Sequence, residues 1–313
     1  MQESRRNLND LHAQADLPKV SVIILNWNGY EVTKACLESL QESNYANLEV
    51  ILVDNGSDDF SADKLAQEFR EVRLIKNNTN LGFTGGNNIG MRDALDRGAE
   101  YLLLLNNDTV VSSDFLKELV RVAENDPKIG ILNPKIYFFE PTDMIWYGGG
   151  MHKPWWSFPR HLDYLKRDSS RNGKPREVSF VTGCACLIKR EVVSRVGLLD
   201  DTFFFGVEDL DWSIRIVRAG FKAVYVPSAV IWHKVSATAN AHLGVGARDY
   251  YHARNSIFVA RKHLQPKYWP LYLLSMGRYL AYATAVHILK VQPGGLKALY
   301  KGVWSGCSTA ISK

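Results

Sequence analysis

The sequence predicts an α/β protein with a Rossmann-like, mainly parallel sheet flanked by helices, followed by a helical, basic C-terminal extension. Three observations predict it. Short apolar runs alternate with helix-length segments over the first 125 or so residues, and several of those runs end in a polar turn. After residue 240 the charge balance shifts abruptly. Strands alternating with helices at this pace imply right-handed βαβ crossovers and a sheet covered on both faces.

Residues 20–25 form a β-branched and aliphatic run that stops at Asn26-Trp27-Asn28-Gly29, a buried strand closed by a turn. Residues 30–40 read as a helix. Residues 48–53 read as a second buried strand, stopped by Asp54-Asn55-Gly56-Ser57. A helix over 62–69 leads to a strand over 72–75. Asn87 or Asn88 caps a helix running to about Arg97, and 101–105 is a further strand. Ser112 or Ser113 caps a helix through Ala123. The rhythm breaks near Pro141, and residues 144–171 are rich in aromatics, glycine and basic residues without a clear period. A long irregular stretch in a compact domain is usually functional or mobile. Patterning then returns, with a strand near Phe180, helices over 190–196 and 209–219, and strands around Val224 and Val230.

A chain of 313 residues, 46% hydrophobic and 23% charged, has ample material for a core. We divide it into a flexible leader over 1–17, which lacks the apolar core of a secretory signal, a catalytic domain over 18–240 and a helical region over 241–313. Cys36, Cys184, Cys186 and Cys307 make no disulfide framework, and Cys184-Ala185-Cys186 has the wrong spacing for a zinc knuckle. Reduced thiols in a cytosolic protein are expected. Residues 241–313 carry ten Lys or Arg against one acid, whereas the preceding body has 28 basic and 32 acidic residues. Such a tail seeks an anionic partner, a membrane or a nucleic acid.

Asn26, Asp54 and Asn106-Asn107-Asp108 each follow an apolar strand directly. Turn formation alone explains any one of them. Three together point to the ligand crevice at the carboxyl ends of an open sheet. Asp108 is placed to bind a divalent metal, because Mg²⁺ or Mn²⁺ takes one or two carboxylates plus phosphate oxygens. Glu208, Asp209 and Asp211 sit directly behind Phe203-Phe204-Phe205 at a helix start. Acids favour helix N-termini, but apolar surroundings also raise a carboxyl's pKa and suit a general base. Gly82-Phe83-Thr84-Gly85-Gly86-Asn87 lacks a dinucleotide-loop register and reads as a close-approach turn near a donor sugar.

The ordered set Val20-Ser21-Val22-Ile23-Ile24-Leu25-Asn26, Val53-Asp54-Asn55-Gly56-Ser57-Asp58-Asp59, Asn80-Leu81-Gly82-Phe83 with Gly86-Asn87-Asn88, Leu105-Asn106-Asn107-Asp108, Thr182-Gly183, Glu208-Asp209-Leu210-Asp211 with Arg215, and Trp232-His233 resembles glycosyltransferase family 2. More narrowly it resembles the bacterial rhamnosyltransferase-like branch, which also has Tyr250-Tyr251 followed by Arg254-Asn255. The resemblance implies a GT-A fold and inverting transfer from a nucleotide-diphosphate sugar, carried by dTDP or UDP. It implies nucleotide contacts at Asn26, Asp54, Asn80, Gly82, Asn106 and Asn107, with Asp54 reading the base. It makes Asp209 the catalytic base with Glu208 beside it, and gives Asp108 and His233 the metal, Mg²⁺ or Mn²⁺. Gly183, Asp211 and Trp232 fall to the acceptor or donor-sugar pocket. The family's metal turn usually has two aspartates; here its first place is Asn106.

In the tail, residues 268–290 are long enough to span a bilayer, but Arg278 and His287 make a simple span costly. Aromatics with Lys and Arg flanks suit a helix lying in the membrane interface, joined by a second helix over 296–303; packing on the catalytic domain is the alternative. Nothing else in the chain supports nucleic-acid binding. The expected activity is transfer of L-rhamnose from dTDP-rhamnose to a polyprenyl-diphosphate-linked or growing cell-surface polysaccharide, by a cytoplasmic enzyme peripheral on the inner membrane face. A sugar nucleotidyltransferase and a non-catalytic carbohydrate-binding protein of the same fold are the alternatives.

Overall fold

The computed structural model describes residues 17–168, 173–235 and 246–310; the expected leader, apart from Leu17, lies outside the described residues. The first half follows the strand–helix alternation: Val20–Asn26 (β1), Tyr30–Gln41 (α1), Leu48–Asp54 (β2), Ser61–Glu68 (α2), Arg73–Lys76 (β3), Gly82–Asp96 (α3) and Tyr101–Asn106 (β4). Thr109–Val111 (β5), Phe115–Glu124 (α4) and Ile129–Phe138 (β6) follow, then Ile145–Tyr147 (β7), Gly150–Met151 (β8), Arg160–His161 (β9) and Arg176–Val178 (β10). The chain continues through Ala185–Lys189 (β11), Arg190–Val196 (α5), Glu208–Arg218 (α6) and Lys222–His233 (β12). It closes with Ala247–His263 (α7), Trp269–Leu289 (α8) and Pro293–Ser308 (α9).

Among the described residues the main sheet runs β10-β12-β6-β11-β4-β1-β2-β3, with β5 on β12 and β7 on β6. Strands β4, β1, β2 and β3 are mutually parallel, as expected of βαβ units. Beyond β4 the sheet turns mixed: β11 is antiparallel to β4 and β6, whereas β12 is parallel to β6. The two strands expected around Val224 and Val230 are one strand with a register shift between Val226 and Val230. The strand expected near Phe180 is the short β10, and Phe180 itself makes an isolated bridge to Gly150.

Helix α3 begins at Gly82, several residues before the expected asparagine caps. Gly82, Gly86 and Gly90 recur every four residues and so share one helix face. A Cβ on Gly86 would lie 2.3 Å from Leu25 Cδ1, and one on Gly90 2.5 Å from Ile23 Cγ2. The glycine face lets α3 lie directly on β1. Asn88 is buried inside the helix, donating to Leu199 O (2.9 Å) while Leu199 N–H donates back to its Oδ1 (3.2 Å). That pair pins the segment leading towards Phe203.

Helix α7 bridges the body and the tail. Its Phe258 and Val259 join the main core, while Ile257 and Ala260 pack with Tyr272 and Met276 of α8. Ala253, Ala283 and Leu299 join α7, α8 and α9 in a third cluster. The tail helices match the expected spans to within a few residues. We expect Gly90→Val to lower stability by roughly 1–3 kcal/mol through overpacking against β1. Urea unfolding checks this, and an unchanged midpoint would contradict the close helix–sheet approach.

Candidate active site

A cavity of about 540 Å³ lies at the carboxyl ends of β1, β2 and β4. Sheet register sets its floor: Asn26 pairs with Asp54, and Leu25 with Asn106, so the three polar strand ends stand side by side. Successive residues on a strand face opposite ways, and this decides which of them meet the cavity. Trp27, Asn55, Asn106, Asn107 and Asp108 line it; Asn26 and Asp54 do not. Asn26 is fully buried, donating to Ser61 Oγ (2.8 Å) and accepting from Thr33 Oγ1 (2.9 Å). Asp54 is 3% exposed and accepts from the Ser57 hydroxyl at 2.5 Å. Asn55 donates to Asn80 Oδ1 (2.9 Å) and Gly82 O (3.1 Å), tying the Asn80–Gly82 wall to the end of β2.

The Asn106-Asn107-Asp108 turn joins β4 to β5, and β5 pairs with β12 so that His233 faces Thr109. This register brings His233 Nε2 within 3.0 Å of Asp108 Oδ1, both residues being buried. The Trp146 ring meets the His233 imidazole edge-on at 4.7 Å and fixes its plane. His161, also against Trp146, donates from Nδ1 to Trp146 O at 3.0 Å, and burial lowers its pKa to about 4, so it stands neutral.

The acid pair is built by a strained turn. Gly206 and Val207 both take positive φ (78° and 72°), a costly conformation for a β-branched residue. Asn255 of α7 holds that turn, donating to Phe205 O (2.9 Å) and Gly206 O (2.6 Å). On its other side Phe83 N–H donates to Phe204 O (2.8 Å), and a Cβ on Gly82 would lie 2.3 Å from that oxygen. The turn aims Glu208 and Asp209, the first residues of α6, into the cavity. Burial pushes both carboxyls above their usual range, and the neighbouring Asp209 charge raises Glu208 further. Asp209 accepts backbone N–H bonds from Gly183 (3.1 Å) and Leu210 (2.8 Å), which favour its charged form. Glu208 Oε2 has no hydrogen-bond partner among the described residues. Of the two carboxyls, Glu208 is raised the further and holds a proton more readily than Asp209.

Two expected pocket residues sit elsewhere. Asp211 is fully buried among Arg215 (2.8 Å), Lys262 (2.7 Å) and His263 (2.8 Å). Burial alone would raise its pKa, but those three groups outweigh it and hold the carboxyl far below the usual range. It braces α6 against α7. Trp232 points away from His233 by strand alternation, donates to Thr142 O (3.1 Å) and stacks on Tyr137. Asn80, Gly82 and Gly183 do line the cavity.

Trp27, Asn55, His161, Arg248 and His252, none of them among the expected site residues, also line it. Trp27 and Asn55 lie one residue beyond the strand ends, a signal available in the alternation rule. Arg248, in the first turn of α7, is the one Lys or Arg among the lining residues described. Burial lowers His252 to about 4 and keeps it neutral. Cys184 also lines the cavity, with its thiol pushed well up by burial and then by the Asp108 charge, so it stays protonated and is no nucleophile. All four cysteines are free.

The family model for glycosyl transferase family 2 matches residues 21–197. An N-acetylglucosaminyl-diphospho-decaprenol L-rhamnosyltransferase of Mycobacterium tuberculosis is 29% identical over 72% of this chain and 79% of its own. The dTDP-rhamnosyl transferase RfbF of Shigella flexneri is 25% identical over 72% and 75%. Among solved structures, S. aureus TarS in complex with UDP-GlcNAc superposes with a TM-score of 0.61 at 14% identity, covering 92% of this chain and 81% of that one. A Pyrobaculum calidifontis mannosyltransferase in complex with GDP-Man and Mn²⁺ gives 0.56 at 19% identity, covering 93% and 84%. At such identities these two likenesses show the fold alone. The matched family model and the strand-end cavity agree: the chain belongs to glycosyl transferase family 2 and is a glycosyltransferase of GT-A fold.

Proposed function

We propose that the enzyme transfers L-rhamnose from dTDP-rhamnose, with inversion, to a polyprenyl-diphosphate-linked or growing cell-surface glycan. The observation that carries this reading is a half-buried carboxylate, Asp209, facing the same cavity as the Asp108–His233 pair. The names of the two rhamnosyltransferase relatives support the sugar, and the first of them supports the lipid-linked acceptor. Family membership leaves the nucleotidyltransferase and non-catalytic readings without support.

Asp209 takes the proton of the acceptor hydroxyl as its oxygen bonds to the anomeric carbon. The bond from that carbon to the diphosphate breaks on the opposite face, and the electron pair leaves with the diphosphate. A positioned base of this kind contributes roughly 10²–10⁴ in rate. Glu208, holding its proton, adds no second charge beside the base. Trp27 offers a ring for the nucleobase, with the narrow exposed edge of Asp54 in reach of a base N–H and Asn26 fixing the turn behind it. Asn80, Gly82, Asn106 and Asn107 line the nucleotide's path, Gly183 the sugar's, and Arg248 offers a cation to phosphate.

Asp108 and His233 suit a divalent metal. Among the described residues no three His, Cys, Asp or Glu side chains gather as a closed cage. One carboxylate and one imidazole leave most positions for diphosphate oxygens and water, the pattern Mg²⁺ and Mn²⁺ adopt on nucleotides. When bound, the metal supplies positive charge that stabilises the leaving diphosphate. The setting we infer is cytoplasmic, at the inner face of the membrane.

The test supplies dTDP-rhamnose, Mn²⁺ or Mg²⁺ and a polyprenyl-diphosphate N-acetylglucosamine acceptor, and follows rhamnose onto the lipid. Asp209→Asn should lower transfer at least ~10²-fold while nucleotide affinity stays close to that of the parent. Asp108→Ala should abolish the metal dependence of nucleotide binding along with turnover. Transfer retained by Asp209→Asn, or turnover only with another nucleotide sugar, would overturn the corresponding part of the reading.

A further inference from the structure

Helix α8 is apolar nearly all round, yet only one side of it is covered. Its buried stripe, Tyr272, Met276, Ala283 and His287, faces α7 and α9. On the other side Leu271, Leu274, Ile288 and Leu289 are 47–83% exposed, at helical spacing. Helix α9 adds Tyr300 and Trp304, 49% and 73% exposed, with Lys297 and Lys301 alongside. A hydrogen bond between the Thr284 and Tyr300 hydroxyls (3.0 Å) joins the two helices along this side. A contiguous exposed apolar face of this kind marks an interaction surface.

We propose that α8 and α9 form an in-plane docking face for an anionic lipid bilayer. Charge selects this occupant. On α8, α9 and the turn between them Arg278, Lys290, Lys297 and Lys301 are exposed and no acid is present, so this face is drawn to anionic headgroups and repels a second copy of itself. Trp and Tyr beside lysines at the rim of an aliphatic face is the composition of an interfacial helix. Among the described residues no helix is long and apolar enough to cross a membrane. Arg278, exposed in mid-α8, reaches headgroups by extending its stem along the apolar face.

The same helix that carries the docking face also reaches the cavity wall. Tyr279 of α8 meets Phe158 edge-on at 4.7 Å, and Phe158 lines the cavity. Ser157 and Ser275 hydrogen-bond at 3.1 Å in the same contact. The docking stands on the exposed face and its charge; only its use, delivery of a lipid-linked acceptor, rests on the transfer reading.

The experiment is co-sedimentation of the full chain with phosphatidylcholine vesicles, with and without phosphatidylglycerol. Binding should require the anionic lipid and weaken as salt rises. The pair Leu274→Glu and Ile288→Glu should cut it by about tenfold or more. Trp304→Ala and the pair Lys297→Glu and Lys301→Glu should each weaken it, and an unchanged melting temperature confirms folding in every variant. No sedimentation, or sedimentation indifferent to lipid charge and to these substitutions, overturns the proposal. So does a concentration-dependent dimer that the same substitutions disperse without any vesicle binding. Vesicle binding without rhamnose transfer would sink the transfer reading alone; transfer to a short soluble acceptor without vesicle binding would sink the docking alone.

Discussion

Two neighbouring carboxyls in a largely apolar cavity, one buried and one half-buried, cannot both carry charge cheaply, and the candidate site is organised around that constraint. Glu208 and Asp209 are neighbours at the start of α6, with their side chains in one largely apolar cavity. Backbone N–H groups from Gly183 and Leu210 donate to Asp209, whereas Glu208 keeps one oxygen, Oε2, without a hydrogen-bond partner among the described residues. The helix N-terminus adds favourable potential for one negative charge. Burial and then the Asp209 charge raise Glu208 the further of the two, so the pair holds its proton more readily on Glu208. Phe204, Phe205 and Val207 limit water, and Asn255 with the α3 glycines holds the turn where the asymmetry is made.

The second half of the site depends on strand register. Asp108 and His233 are far apart in sequence and belong to different sheet neighbourhoods. The three-residue β5 folds back from the Asn106-Asn107-Asp108 turn onto β12 and brings them to 3.0 Å. The same pairing sends Trp232 to the opposite face, where it stacks on Tyr137. A one-residue slip of β12 would exchange the two side chains and remove the imidazole from the cavity. Trp146, from the stretch that showed no period, then fixes the ring plane.

Most of the parallel half of the fold was legible because each strand there is a continuous apolar run ended by a polar turn. The mixed half was less so: β11 joins the sheet antiparallel between β4 and β6, which no local pattern announces. Asp209, Asp108 and His233 were expected at the site from their sequence surroundings, and all three line the cavity. Asp211 was misplaced because an acid three residues into a helix can face either the pocket or α7, and only Lys262 and His263 decide it. Arg248 and His252 reach the cavity through packing of α7 on the body, a tertiary event with no sequence signature. Tyr250-Tyr251 and Arg254-Asn255 prove to be parts of one clamp. Arg254 donates to Thr202 O (3.3 Å) and lies over the Tyr251 ring, while Asn255 grips the turn before the acids.

The central claim is that Asp209 works as a lone half-buried carboxylate beside a protonated Glu208. The pH dependence of kcat/KM tests it most directly, measured for the parent and for Glu208→Gln. Because burial raises the Asp209 pKa, the charged base is lost as pH falls through that raised value. The acid limb should therefore be a single ionisation well above ~4, the ordinary aspartate range, and it should survive in Glu208→Gln. An acid limb at or below the ordinary range, or one abolished by Glu208→Gln, would contradict the division of labour between the two acids.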